Sequence, residues 1–127
     1  MYKALHALLS TLLVYIAWLQ LNDPDPLFWA SLYLLAALVP LLQLISAKSC
    51  FKKYAIGIAT GFCLAGIALV FSGATGYFPH ANEESLIQDM SPDKPYIEEA
   101  RELIGTLIAL TIVLAYGFAD IKSSKRC

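Results

Sequence analysis

Gln20-Leu21-Asn22-Asp23-Pro24-Asp25-Pro26-Leu27-Phe28-Trp29 is the stretch that decides how the rest of this chain is read. Asn22 to Pro26 are polar or proline, and they stand between two long apolar runs, Ala4 to Leu21 and Leu27 to Ala47, neither of which contains Asp, Glu, Lys or Arg. Pro24 and Pro26 fix their own φ and push Asp23 and Asp25 toward extended backbone. The stretch is therefore a stiff, tight connection at a membrane surface. Asp25 is placed to cap a second helix that has Pro26 at its first position. That gives one carboxylate a structural task. Gln20 and Asn22 close the first helix, and Asn22 and Asp23 remain as rigidly held side-chain oxygens, which is what a hard cation or a basic partner residue requires.

Working outward, two further runs, Tyr54 to Phe71 and Leu103 to Ala119, are equally free of charge. All four runs have about the 17–25 residues with which a helix crosses a hydrocarbon layer of about 30 Å. At 58% hydrophobic residues and a mean hydropathy of +0.63, the chain exceeds the roughly 45–50% apolar share of soluble domains. A soluble all-α bundle would carry polar outer stripes, whereas these runs are apolar all round. The expectation is one all-α domain over residues 1–127, an integral, multi-pass membrane four-helix bundle in contact with the lipid bilayer. Its spans fall at about 4–21, 27–47, 54–77 and 96–119, with an acidic extracytoplasmic loop at about 78–95.

Lys3, Lys48, Lys52, Lys53, Lys122, Lys125 and Arg126 fall on one side of a four-span chain, and Asp23, Asp25, Glu83, Glu84, Asp89, Asp93, Glu98 and Glu99 on the other. The positive-inside rule makes the basic side cytoplasmic, with both termini on it. A bacterial inner membrane and a eukaryotic cell membrane fit this pattern equally. The segregation beneath a net charge of −1 describes membrane topology and gives no sign of nucleic-acid binding. Lys3 and the run behind it resemble a signal peptide, but the run is long for one and lacks a small-x-small site before Asn22, so it is read as a retained span. Cys50 and Cys127 fall on the basic side and Cys63 within a span, so no extracytoplasmic disulfide is expected.

Trp18, Trp29 and Tyr33 stand where aromatic side chains line the headgroup layer, and anchoring there is a simpler account of them than ligand contact. Pro40 predicts a kink in the second span, with the Ala36 carbonyl freed. Gly57, Gly61 and Ala65 recur every fourth residue, a small-x-x-x-small stripe through which another helix of this chain, or of a second copy in a homo-oligomer, approaches closely. His6 and His80 are read as solvated histidines.

The last helix is expected to start at Pro95 and to protrude into the headgroup region, with Arg101 and Glu102 at the hydrocarbon boundary. Glu98, Arg101, Glu102 and Gly105 share one face by i, i+3, i+4 spacing, and Ala109 continues it. That face is expected to point into the bundle, level with the Asn22 to Asp25 turn. Ionisable groups at such depth usually pair or serve a function.

Gln20-x-Asn22-Asp23-Pro24-Asp25 with Trp29 and Tyr33, followed by Glu98-Glu99-Ala100-Arg101-Glu102-x-x-Gly105, resembles the transmembrane protein 220 family. The motifs cover about a quarter of the chain, and the helical pattern matches across nearly all of it. The resemblance implies a small multi-span membrane protein with these residues as its signature, and it implies no particular chemistry.

The function these residues favour is a structural or ligand-binding module: a polar cluster of Gln20, Asn22, Asp23, Asp25, Trp29, Tyr33, Glu98, Arg101 and Glu102, in which Arg101 pairs with Asp23 or Glu102. A divalent cation would take Asp23, Glu98 and Glu102 as ligands. A transporter or channel subunit is the alternative, against which stands the lack of charge near the midplane. A membrane enzyme using Asp23, Glu98 or Glu102 with His80 ranks lower, because no H-E-x-x-H, G-x-S-x-G or paired-histidine pattern is present. No catalytic residue is assigned.

Overall fold

Backbone N–H and C=O groups find no partners in hydrocarbon, so segments apolar on every side must bond them internally, as helices do. The computed structural model describes residues 2–22, 26–75 and 95–123, and the side chains of these except at 74, 95–98 and 123. Helix α1 covers Tyr2–Leu19 and ends in a single 3-10 turn, Gln20–Asn22; α2 covers Pro26–Leu44, α3 Ser49–Thr75 and α4 Pro95–Ser123. All four are long and apolar enough to cross a membrane, and no strand occurs among the described residues. Asp23, Asp25, His80 and the acidic stretch 76–94 lie outside the described residues. With 29 residues, α4 is about 43 Å long, well beyond a hydrocarbon thickness of about 30 Å.

Helix α2 is the hub. It packs on α1, α3 and α4, α3 packs on α4, and α1 scarcely touches α4. The buried faces follow helical spacing: Ser10, Leu13 and Ala17 on α1; Trp29, Leu32, Tyr33, Ala36, Ala37, Val39 and Pro40 on α2. On α3 the inward stripe is Ala55, Ala59, Cys63, Gly66 and Val70, and on α4 it is Glu102, Thr106, Ala109, Val113 and Tyr116. Small residues on both sides let the α3 and α4 backbones come close, which is how helices attract one another where lipid removes the hydrophobic driving force. The opposite surface carries Leu8, Leu27, Leu69, Phe118 and Ile121, all exposed, as expected of side chains that face acyl chains.

Two sequence expectations change here. Trp29 and Tyr33 are not interfacial anchors: they are 4% and 1% exposed and sit in the core, because the α2 face that carries them is the one covered by α3 and α4. The stripe of Gly57, Gly61 and Ala65 is exposed, and an added Cβ at either glycine would meet nothing within 4 Å. The close seam within the chain is instead the Ala55, Ala59, Cys63, Gly66 stripe, rotated around the helix from it.

Helix α2 continues unbroken through the buried Pro40. Beside it the Ser10 hydroxyl donates to the Ala37 carbonyl at 3.1 Å, a hydrogen bond that ties α1 to α2 inside the apolar layer. At its end α2 closes with Ser46 N donating to Gln43 O at 3.2 Å and Ala47 N to Leu42 O at 3.0 Å. These are the paired bonds of a Schellman cap, with Ser46 at φ 54° where glycine is the usual occupant. Cys63 is buried and free. Cys50, in the first turn of α3, is engaged in an interaction of its own.

Candidate polar site at the turn end

The up-and-down course of the helices brings the start of α2, the end of α3 and the start of α4 to one end of the bundle, together with the 3-10 turn that ends α1. There α2 offers Trp29 and Tyr33 from successive turns, and α4 offers Glu102, Gly105 and Thr106. Glu102 is 8% exposed. Gly105, three residues on and so on the same face, is where Tyr33 reaches α4: a Cβ at Gly105 would collide with the Tyr33 hydroxyl. Glycine is required at this crossing by the approach of a phenol, not by backbone conformation. Gly66 plays the same part on α3, where a Cβ would lie 3.0 Å from Leu32 Cδ1 and 3.2 Å from Trp29 Cζ3.

The local bonding suits this packing. The Thr106 hydroxyl donates to the Glu102 carbonyl one turn below at 2.6 Å, so its polar atom is satisfied within α4 while its methyl faces Gly66. Tyr33 and Glu102 are each engaged in an interaction of their own. Phe28 stacks on Phe62 of α3 with ring centroids 5.7 Å apart and meets Trp29 edge-on, closing the α2–α3 side. The result is a buried carboxylate-bearing side chain on a helix long and apolar enough to cross a membrane, one turn from the crossing of Tyr33 over Gly105.

Of the residues expected to form the polar cluster, Trp29, Tyr33 and Glu102 are buried, and Arg101 is half-buried on α4. The Gln20 amide donates back to Ile16 O of α1 at 3.4 Å. Asn22 is exposed at the end of the 3-10 turn. Glu98 lies in α4 but its side chain, like Asp23 and Asp25 entirely, is outside the described residues. Of the expected cation ligands Asp23, Glu98 and Glu102, only Glu102 therefore has a described side chain, and no group of three His, Cys, Asp or Glu able to hold a metal occurs among the described residues.

Sequence reasoning missed Gly73 and Thr106, and it named Glu99 only within the family motif and the acidic side. The Glu99 carboxylate lies so close over Gly73 of α3 that a Cβ there would overlap it, so a second carboxylate crosses to a neighbouring helix at this end. Its signal was present in the Glu99, Glu102, Thr106 spacing, which is again i, i+3, i+7.

Four apolar spans around an enclosed polar seam define a small polytopic helical membrane protein. The chain belongs to transmembrane family 220: the model described as "Transmembrane family 220, helix" matches residues 12–118. Neither a curated protein nor a solved structure matches it.

Proposed function

We propose that the polar seam at the turn end is an organising and binding module, which fastens α2 to α4 and takes a polar group or a cation from the headgroup side. The burial of Glu102 carries this reading. An ionised side chain costs about 2.5–3.5 kcal/mol at the centre of a membrane helix and less toward its ends. A buried glutamate in a span is thus retained because it is held by partners or is in use. In this reading Asp23, Asp25 and Arg101 extend the cluster, and Asp23 and Glu98 join Glu102 when a divalent cation binds.

The test is a melt of the purified protein with and without millimolar calcium, alongside Glu102→Gln and Asp23→Asn. Calcium is expected to raise the wild-type Tm, and both variants to lose most of that rise. Glu102→Gln alone should cost about 1–3 kcal/mol by leaving buried partners unsatisfied. A wild type indifferent to calcium ends the cation part, and an unaltered Glu102→Gln melt ends the organising part.

A second reading is favoured by the exposed Gly57, Gly61 and Ala65 stripe: a second copy of the chain packs against it. Gly61→Leu is then expected to reduce cross-linked dimer in lipid, and an unchanged dimer fraction would sink the idea. The seven basic residues favour a cytoplasmic basic end. Labelling a cysteine placed at Lys3 with a membrane-impermeant reagent, from either side, checks that orientation.

A further inference from the structure

At the opposite end the helices do not close over their polar groups. A cavity of about 350 Å³ is lined there by His6 of α1, Gln43 of α2, Ser49 and Lys52 of α3, and Tyr116 and Asp120 of α4. It exists because α1 leans on α2 and α4 leans on α3, which leaves the α1–α4 seam to be bridged by a hydrogen bond between His6 Nδ1 and the Tyr116 hydroxyl at 2.6 Å. The two rings also lie 5.4 Å apart, tilted.

The α2–α3 connection presents the start of α3 to this space. Lys52 N donates to Lys48 O at 3.3 Å, so Lys48 is the cap residue of α3, and a lysine side chain has no oxygen with which to accept from the first amides. The N–H groups of Ser49 and Phe51 consequently have no partner within the helix. The Ser49 hydroxyl oxygen is buried and makes no hydrogen bond. A buried hydroxyl without a partner is unfavourable, and it is accounted for if a ligand atom supplies the partner.

We propose that this cavity binds a phosphate group, held by the Ser49 hydroxyl, the first amides of α3 and the Lys52 ammonium, with His6, Gln43 and Tyr116 completing the polar wall. Amides at a helix N-terminus, a hydroxyl and an ammonium are donors that converge on an anion rich in acceptor oxygens. Asp120 borders the same space and is engaged in an interaction of its own. A singly charged phosphodiester meets less repulsion from it than a phosphomonoester dianion, which favours a phospholipid headgroup. The volume is at the small end of ligand sites, about 300–1,000 Å³, and suits a headgroup whose acyl chains stay outside in the bilayer.

The test uses the full chain in detergent, with thermal melts read in the presence of a short-chain phosphatidylethanolamine, of inorganic phosphate, or of a diacylglycerol of the same chain length. The phospholipid is expected to raise the Tm and the diacylglycerol to leave it unchanged. Phosphate alone matching the phospholipid upholds the site and identifies a soluble anion as its occupant. Ser49→Ala should melt no lower than wild type without additive, because it deletes an unsatisfied hydroxyl, yet lose most of the phospholipid shift. Lys52→Gln should lose it as well, and Lys3→Gln, which removes a basic charge at the same end that does not line the cavity, should keep it. Should Lys52→Gln fail to reach wild-type helix content, Ser49→Ala decides alone. A diacylglycerol shift equal to that of the phospholipid, or a Ser49→Ala protein with the full wild-type response, overturns the proposal.

Discussion

At the turn end, Glu102, Tyr33 and Trp29 are buried, Tyr33 against Gly105 and Trp29 against Gly66, whereas at the opposite end His6, Lys52 and Tyr116 border open space. Both ends carry polar side chains among the described residues. They differ in what lies between the helices. Where glycine stands at the crossing, as at Gly105, a phenol reaches the neighbouring backbone and no room is left. Where α1 and α4 fail to meet, a hydrogen bond spans the gap and a cavity persists. Polarity inside this bundle is thus either closed off by tight packing or left accessible, according to which helix pairs are in contact.

The largest expected effect that tests this contrast comes from Gly105→Ala. The Tyr33 hydroxyl is enclosed and has nowhere to retreat, so overpacking should cost about 1–3 kcal/mol in a reversible unfolding measurement. Gly73→Ala meets a carboxylate at the end of a half-exposed, flexible Glu99 side chain, and should cost below about 1 kcal/mol. Equal penalties at the two glycines would mean that the turn end is not rigid in the way described. Tyr116→Phe removes the bond to His6 and should cost about 0.6 kcal/mol, the usual size of an interhelical hydrogen bond in a membrane. A loss as large as that of Gly105→Ala would show the far end to be closed after all. The smallest effect is expected from Ser46→Gly, a gain of about 0.5 kcal/mol. It relieves a left-handed residue at the Schellman cap and is partly offset by the greater freedom of glycine in the unfolded chain. A loss instead would mean that the Ser46 side chain itself holds the start of α3 in place.

Four spans could be read from the chain because span length and absence of charge are local properties, tied directly to the thickness of hydrocarbon. The inward face at Glu102 and Gly105 was legible for a similar reason, since i, i+3, i+4 spacing survives any tertiary arrangement. Other features depended on how each helix is rotated about its axis. Gly57, Gly61 and Ala65 make as regular a stripe as Ala55, Ala59 and Cys63, and only the position of α4 chooses between them. Trp29 and Tyr33 near a helix start look the same in sequence whether they face headgroups or a neighbouring helix. The Schellman cap was hidden because Ser46 occupies the place where glycine would have announced it. His6 passed as a solvated residue because its partner, Tyr116, is 110 positions away.

The near-absence of contact between the first and last helices bears on how the molecule is made. Helices α1 and α2 can complete their shared seam, including the Ser10 to Ala37 bond, while α4 is still being synthesised. Insertion then proceeds hairpin by hairpin in the order of translation, and no late segment has to wedge itself between partners that are already packed.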